Sequence, residues 1–147
     1  MCTRFVYRGS DIITGFNFDI DLSVWTHKVM EEKERFYIGI LRPDGAYHSY
    51  HGVNQNGNVG TLLYVHGNSA GAYQDGKNCM TIADLTEQFI KAQISFDEVL
   101  QIVQSKKIVY APDATMHYKG RGGNQKWTET AKTLLSCICS EKHRERN

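Results

Sequence analysis

The sequence carries no excess of charge, no long hydrophobic run, and no internal repeat or low-complexity tract. Each absence removes a class of function. Lys and Arg number 17 against 16 Asp and Glu, a formal net charge of +1, so no concentrated basic composition points to nucleic acid. No apolar stretch approaches the roughly 18 residues that span a bilayer, so no membrane partner is expected. The first residues do not place a basic segment before an apolar core, so no secretory leader is expected. Cysteine is sparse, at Cys2, Cys79, Cys137 and Cys139; without a leader these read as reduced thiols in a cytoplasmic protein. Cys137 and Cys139 make a single C-x-C pair, too few ligands for zinc, so packing or oxidation is their expected fate. His48 and His51 stand three apart on an expected strand, which turns them to opposite faces and argues against shared metal ligation. The stretches "GRGG" and "HGNSAG" match neither a P-loop nor a dinucleotide fingerprint. Neither metal nor cofactor is expected.

What is present is an ordinary globular composition, 41% apolar and 11% aromatic over 147 residues, enough for one domain with a sizeable core. The first two-thirds alternate β-prone runs with turn signals. Phe5 to Tyr7, the turn "RGSD" and Ile12 to Thr14 predict a hairpin. Phe36 to Leu41, the turn "RPDGA" and Ala46 to Gly52 predict a second, with Asp44-Gly45 as the turn pair. "GVNQNGN" is a third turn cluster leading into the strand-like "VGTLLYV". The run "MEEKER" reads as a solvated loop or helix face and not as a partner site. Two helices are then expected. In "TIADLTEQFIKA", Thr81 is the N-cap with Asp84 three residues on; in "SFDEVLQIVQS", Ser95 and Glu98 form a capping box. A strand, "KIVYA", follows. From about His117 the chain changes to a Gly-rich, basic and then charged stretch that does not continue this pattern. The expected fold class is therefore α+β, an antiparallel sheet with two helices.

The chain begins "MCT". Removal of Met1 would leave Cys2 with both a thiol and a free α-amine. A thiol titrates near pH 8.5 and an α-amine at about 7.7–8.0, so the amine can take the thiol proton near neutrality. One residue would then hold nucleophile and general base together. The alternative is a small residue that packs ahead of a strand.

"MCT", the two β-runs and "GFNFD" together resemble the opening of the choloylglycine hydrolase family, which contains bile salt hydrolases and penicillin V acylases among the N-terminal-nucleophile hydrolases. The resemblance continues through "HGVNQNGNVGTLLYVHGNSAGAY", the helical stretch and "KIVYAPDATMH". It implies a first domain over residues 1–117, part of an αββα sandwich, with 118–147 an atypical tail. It also implies cleavage of a linear, non-peptide C–N amide in a small-molecule substrate, with Cys2 as nucleophile. Asp19 matches the carboxylate that positions the catalytic amine or thiol; otherwise it is a turn residue beside Asp21. Tyr64 matches a contributor to the oxyanion hole, of the kind found in acylase-like members, where a hydroxyl can donate to developing charge. Otherwise it is a strand aromatic.

Two departures qualify the resemblance. The family motif Gly-Arg-Asn-x-Asp carries Phe16 in place of its arginine, removing a cation that would favour thiolate. The family's chains are also much longer, and their later part supplies another oxyanion-hole Asn and another Arg with no counterpart here. The change near His117 reads as a truncation or a frame shift. A second expectation therefore stands beside the enzyme: an inactive remnant serving as a binding or dimerising module, with a second copy covering exposed sheet and a homo-oligomer as the result.

Overall fold

A computed structural model of the chain describes residues 3–17, 25–42, 44–62, 72–110 and 138–139. It is a mixed α+β structure with antiparallel sheets and two helices. β1 (Thr3–Arg8) and β2 (Ile12–Asn17) form a hairpin in which Thr3 faces Asn17 and Arg4 faces Phe16. A five-stranded antiparallel sheet follows, built from β3 (His27–Glu32), β4 (Arg35–Leu41), β5 (Tyr47–Asn54), β6 (Val59–Thr61) and β9 (Ile138–Cys139) in that order. Both expected hairpins and the strand after "GVNQNGN" are present. At the β4–β5 turn Gly45 takes φ +80°, a conformation that costs glycine little, while the Asp44 carboxylate accepts from Ala46 N–H at 2.9 Å.

β3 corrects the reading of "MEEKER". The segment forms the end of one strand, the turn Lys33-Glu34 and the start of the next, with Glu32 opposite Arg35. Only Met30 of β3 is half-buried, its other residues being exposed. An edge strand without a buried face shows no period-2 apolar signal, which is why it looks like a solvated segment. Within 118–147 the described residues are Ile138 and Cys139, which pair with Gly60 and Val59 as a short strand of the sheet.

Helix α1 (Ile82–Ile90) begins at Thr81, whose hydroxyl accepts from Asp84 N–H at 3.0 Å. Helix α2 (Phe96–Ser105) begins at the Ser95–Glu98 capping box, in which each residue's side chain bonds the other's backbone N–H. These side chains satisfy amides that a first helical turn leaves open. After α2, β8 (Lys107–Val109) runs parallel to β7 (Cys79–Thr81). β7 and β8 thus form a small parallel pair beside the antiparallel sheets.

α1 lies directly on the five-stranded sheet. A side chain at Gly60 would come within 2.6 Å of Ile90, and one at Gly52 within 3.0 Å of the same residue, so the close approach depends on the missing side chains. Around it Ile40, Tyr50, Leu62, Leu85, Phe89 and Val99 form the core, each such burial worth about 1.5–3 kcal/mol. Asn54 joins turn and helix. Its amide donates to the carbonyls of Phe89 (3.1 Å) and Ile90 (3.2 Å), and its Oδ1 accepts from the N–H groups of Asn56 (3.0 Å) and Asn58 (3.2 Å).

Candidate functional site

Cys2, Asp19 and Tyr64 lie outside the described residues. Their nearest described neighbours in the chain are Thr3, Asn17 and Leu62. Thr3 and Asn17 pair at the open end of the β1–β2 hairpin.

Next along that hairpin, side chains from three elements converge. The Phe16 ring stacks on His51 of β5, with centroids 4.9 Å apart and planes 19° from parallel. His51 stands opposite Thr61 of β6, and its Nδ1 lies 2.8 Å from the Thr61 hydroxyl, which is fully buried. Burial, and then the charge of Arg4, push the His51 pKa below its ordinary value. The ring is accordingly neutral near pH 7, and the Thr61 hydroxyl can donate to it. Arg4 is the cross-strand partner of Phe16. The strand facing Phe16 therefore contributes a cation beside the Phe16–His51 stack.

His48 serves another place. Its Nδ1 lies 2.6 Å from Glu87 Oε2 on α1, and its Nε2 lies 2.7 Å from Asp44 Oδ2 in the β4–β5 turn. Glu87 also holds Lys91 at 2.7 Å. The two histidines thus meet different elements, as their spacing suggests: His48 reaches α1, whereas His51 reaches the hairpin. Among the described residues no group of three or more His, Cys, Asp or Glu side chains is arranged to hold a metal ion. Arg4 and His51 were invisible as site residues in the sequence, where His51 stood only as a poor metal ligand. The one signal available was register, since the "RGSD" turn sets Arg4 against Phe16.

A cleft of about 370 Å³ lies between the β7–β8 pair and α1, lined by Tyr73, Asp75, Cys79, Asp84, Gln88 and Lys106 among others. The Asp84 carboxylate there accepts from the Thr81 hydroxyl at 2.6 Å, which commits it to the helix cap. Among the described residues no helix is long and apolar enough to cross a membrane. No family model, curated protein or solved structure matches the chain.

Proposed function

We propose that the protein is an N-terminal-nucleophile hydrolase of the choloylglycine hydrolase type, acting on a linear, non-peptide amide through Cys2. The observation that carries this reading is the hairpin register. Thr3, next in the chain to Cys2, faces Asn17, two residues before Asp19. With consecutive Cα atoms about 3.8 Å apart, that pairing is what a nucleophile and its orienting carboxylate at the same hairpin end require. The fold supports it as well, since an antiparallel sheet covered by helices is one half of an αββα sandwich.

In the proposed reaction, Met1 has been removed. The α-amine of Cys2 takes the thiol proton, and the sulfur attacks the amide carbonyl. Negative charge develops on the carbonyl oxygen, where the Tyr64 hydroxyl donates to it. As the C–N bond breaks, the α-ammonium returns its proton to the leaving amine and a thioester remains on Cys2. Water then attacks the thioester, the α-amine again taking the proton, and the free acid and the thiol are regenerated. Asp19 accepts from the α-ammonium and fixes its direction. The Arg4 cation on β1 favours thiolate over thiol. Tyr64 directs the choice of substrate toward acylase-type amides such as penicillin V.

The test is hydrolysis of a panel of linear amides, including penicillin V, conjugated bile salts and N-acyl homoserine lactones, by the Met1-processed protein. Release of acid from at least one, abolished by Cys2→Ala and slowed by Tyr64→Phe, is the expected result. Release that Cys2→Ala leaves unchanged contradicts the proposal.

A further inference from the structure

The outer edge of β3 has a composition that matches itself. Among the described residues nothing pairs with that edge, where the five-stranded sheet begins. Leu41 N–H donates to Thr26 O at 2.9 Å, and His27 faces Ile40 in the same register. Hydrogen-bonded and non-bonded pairs alternate in an antiparallel ladder. Lys28, Met30 and Glu32 therefore bond to β4, while His27, Val29 and Glu31 turn their N–H and C=O groups outward. All three outward residues are exposed, Val29 by 58%.

Along the strand the side chains run basic (His27, Lys28), apolar (Val29, Met30), then acidic (Glu31, Glu32). Charged residues on an edge ordinarily discourage pairing. Here the signs are segregated, so an antiparallel copy of the same strand meets opposite charge. A two-fold axis through Val29 places Val29 against its own copy and His27 against Glu31 of the second copy, twice. Each facing pair exchanges two main-chain hydrogen bonds, and all of them fall within His27–Glu32. The neighbouring register, centred on Met30, would need Glu32 for Lys28. Glu32 is already engaged by the Tyr37 hydroxyl at 2.8 Å and by Arg35.

From this edge we infer that the protein associates with a second copy of itself by antiparallel pairing of β3 through Val29, joining two sheets into one. The interface is isologous, as a two-fold requires, and small, so association is concentration-dependent. It does not depend on the hydrolase reading, and its test does not measure catalysis.

Sedimentation velocity of the full chain across a concentration series reads the association directly. A dimer is expected that weakens about tenfold in His27→Glu, because it puts like charges opposite one another at two symmetric places. The double variant His27→Glu/Glu31→Lys restores opposite charge and returns the dimer to the parent's strength. Far-UV circular dichroism checks that the exposed substitutions leave the fold intact. Val29→Pro, which removes an outward N–H that β4 does not use, abolishes association. A chain that stays monomeric at every concentration overturns the inference, even if a foreign strand binds the same edge. So does a dimer indifferent to His27→Glu, or one that the double variant fails to restore.

Discussion

The His48 clamp between the β4–β5 turn and α1 makes stability depend on pH in a defined direction. Both ring nitrogens face carboxylate oxygens, at 2.6 and 2.7 Å. A neutral imidazole has one N–H and can satisfy only one of them, whereas the imidazolium satisfies both. Burial pushes the His48 pKa down, but the hydrogen bonds to Glu87 and Asp44 outweigh it and the pKa is raised from 6.5. Stability from this group is therefore complete below pH 6.5 and is lost as pH rises through the raised folded value. Glu87 works in the opposite sense. Burial pushes its pKa up, but the bonds to Lys91 and His48 prevail and lower it from 4.5, so its contribution is present above pH 4.5 and lost in stronger acid. Both contributions are intact between pH 4.5 and 6.5.

His48→Leu removes one partner from Glu87, whose side chain is only 11% exposed. Leaving a buried charged acceptor short of a hydrogen bond costs about 1.5–3 kcal/mol, which for a chain of this size lowers Tm by roughly 4–8 °C. Thermal melts of parent and variant at pH 5.5, 7 and 9 read the effect. The gap is expected to be widest at pH 5.5 and to narrow with alkalinity, and the double variant His48→Leu/Glu87→Leu to lose less than the sum of the singles. A gap that is flat with pH, or absent at pH 5.5, refutes the clamp.

Other sites give equally direct expectations. Asn54→Ala removes two hydrogen bonds that tie the β5–β6 turn to the end of α1 and two that hold the turn itself, and chemical denaturation should show a loss of about 2–4 kcal/mol; a loss below ~1 kcal/mol contradicts that role. Ala92, just past α1, has φ 55°. Ala92→Gly should gain about 1 kcal/mol by removing the left-handed penalty, and no gain in the same experiment counts against strain there. Thr86 is fully buried, and among the described residues its hydroxyl has no hydrogen-bond partner. Thr86→Val should therefore stabilise by about 1 kcal/mol, whereas a destabilised variant would mean that the hydroxyl is bonded.

What could be read from the sequence was local. Thr81 with Asp84, and Ser95 with Glu98, announce their helices because a cap and its third residue interact within one turn. Asp44-Gly45 and "RGSD" announce their hairpins because turn chemistry resides in a few adjacent residues. What escaped notice depends on distance in the chain or on weak patterning. His48 and Glu87 are 39 positions apart, and nothing near either residue marks the other. Asn54 was visible only as one residue of a turn cluster, since its helix partners lie 35 and 36 positions away. β3 lacks alternation because it buries so little. Ile138 and Cys139 form a strand of two residues, too short for any side-chain period to reveal. For the site, the motif residues Cys2, Asp19 and Tyr64 came from resemblance, while the cluster of Arg4, Phe16, His51 and Thr61 needed four strands brought together in space.

The central claim rests on Cys2, and intact-mass spectrometry of the purified chain tests it most directly. The account predicts a mass lacking Met1. On brief incubation with an activated ester of phenoxyacetic acid and acid quenching, it predicts a single acyl adduct mapping to Cys2 and not to Cys79, Cys137 or Cys139. A chain that retains Met1, or a processed chain whose acylation is unchanged by Cys2→Ala, contradicts it.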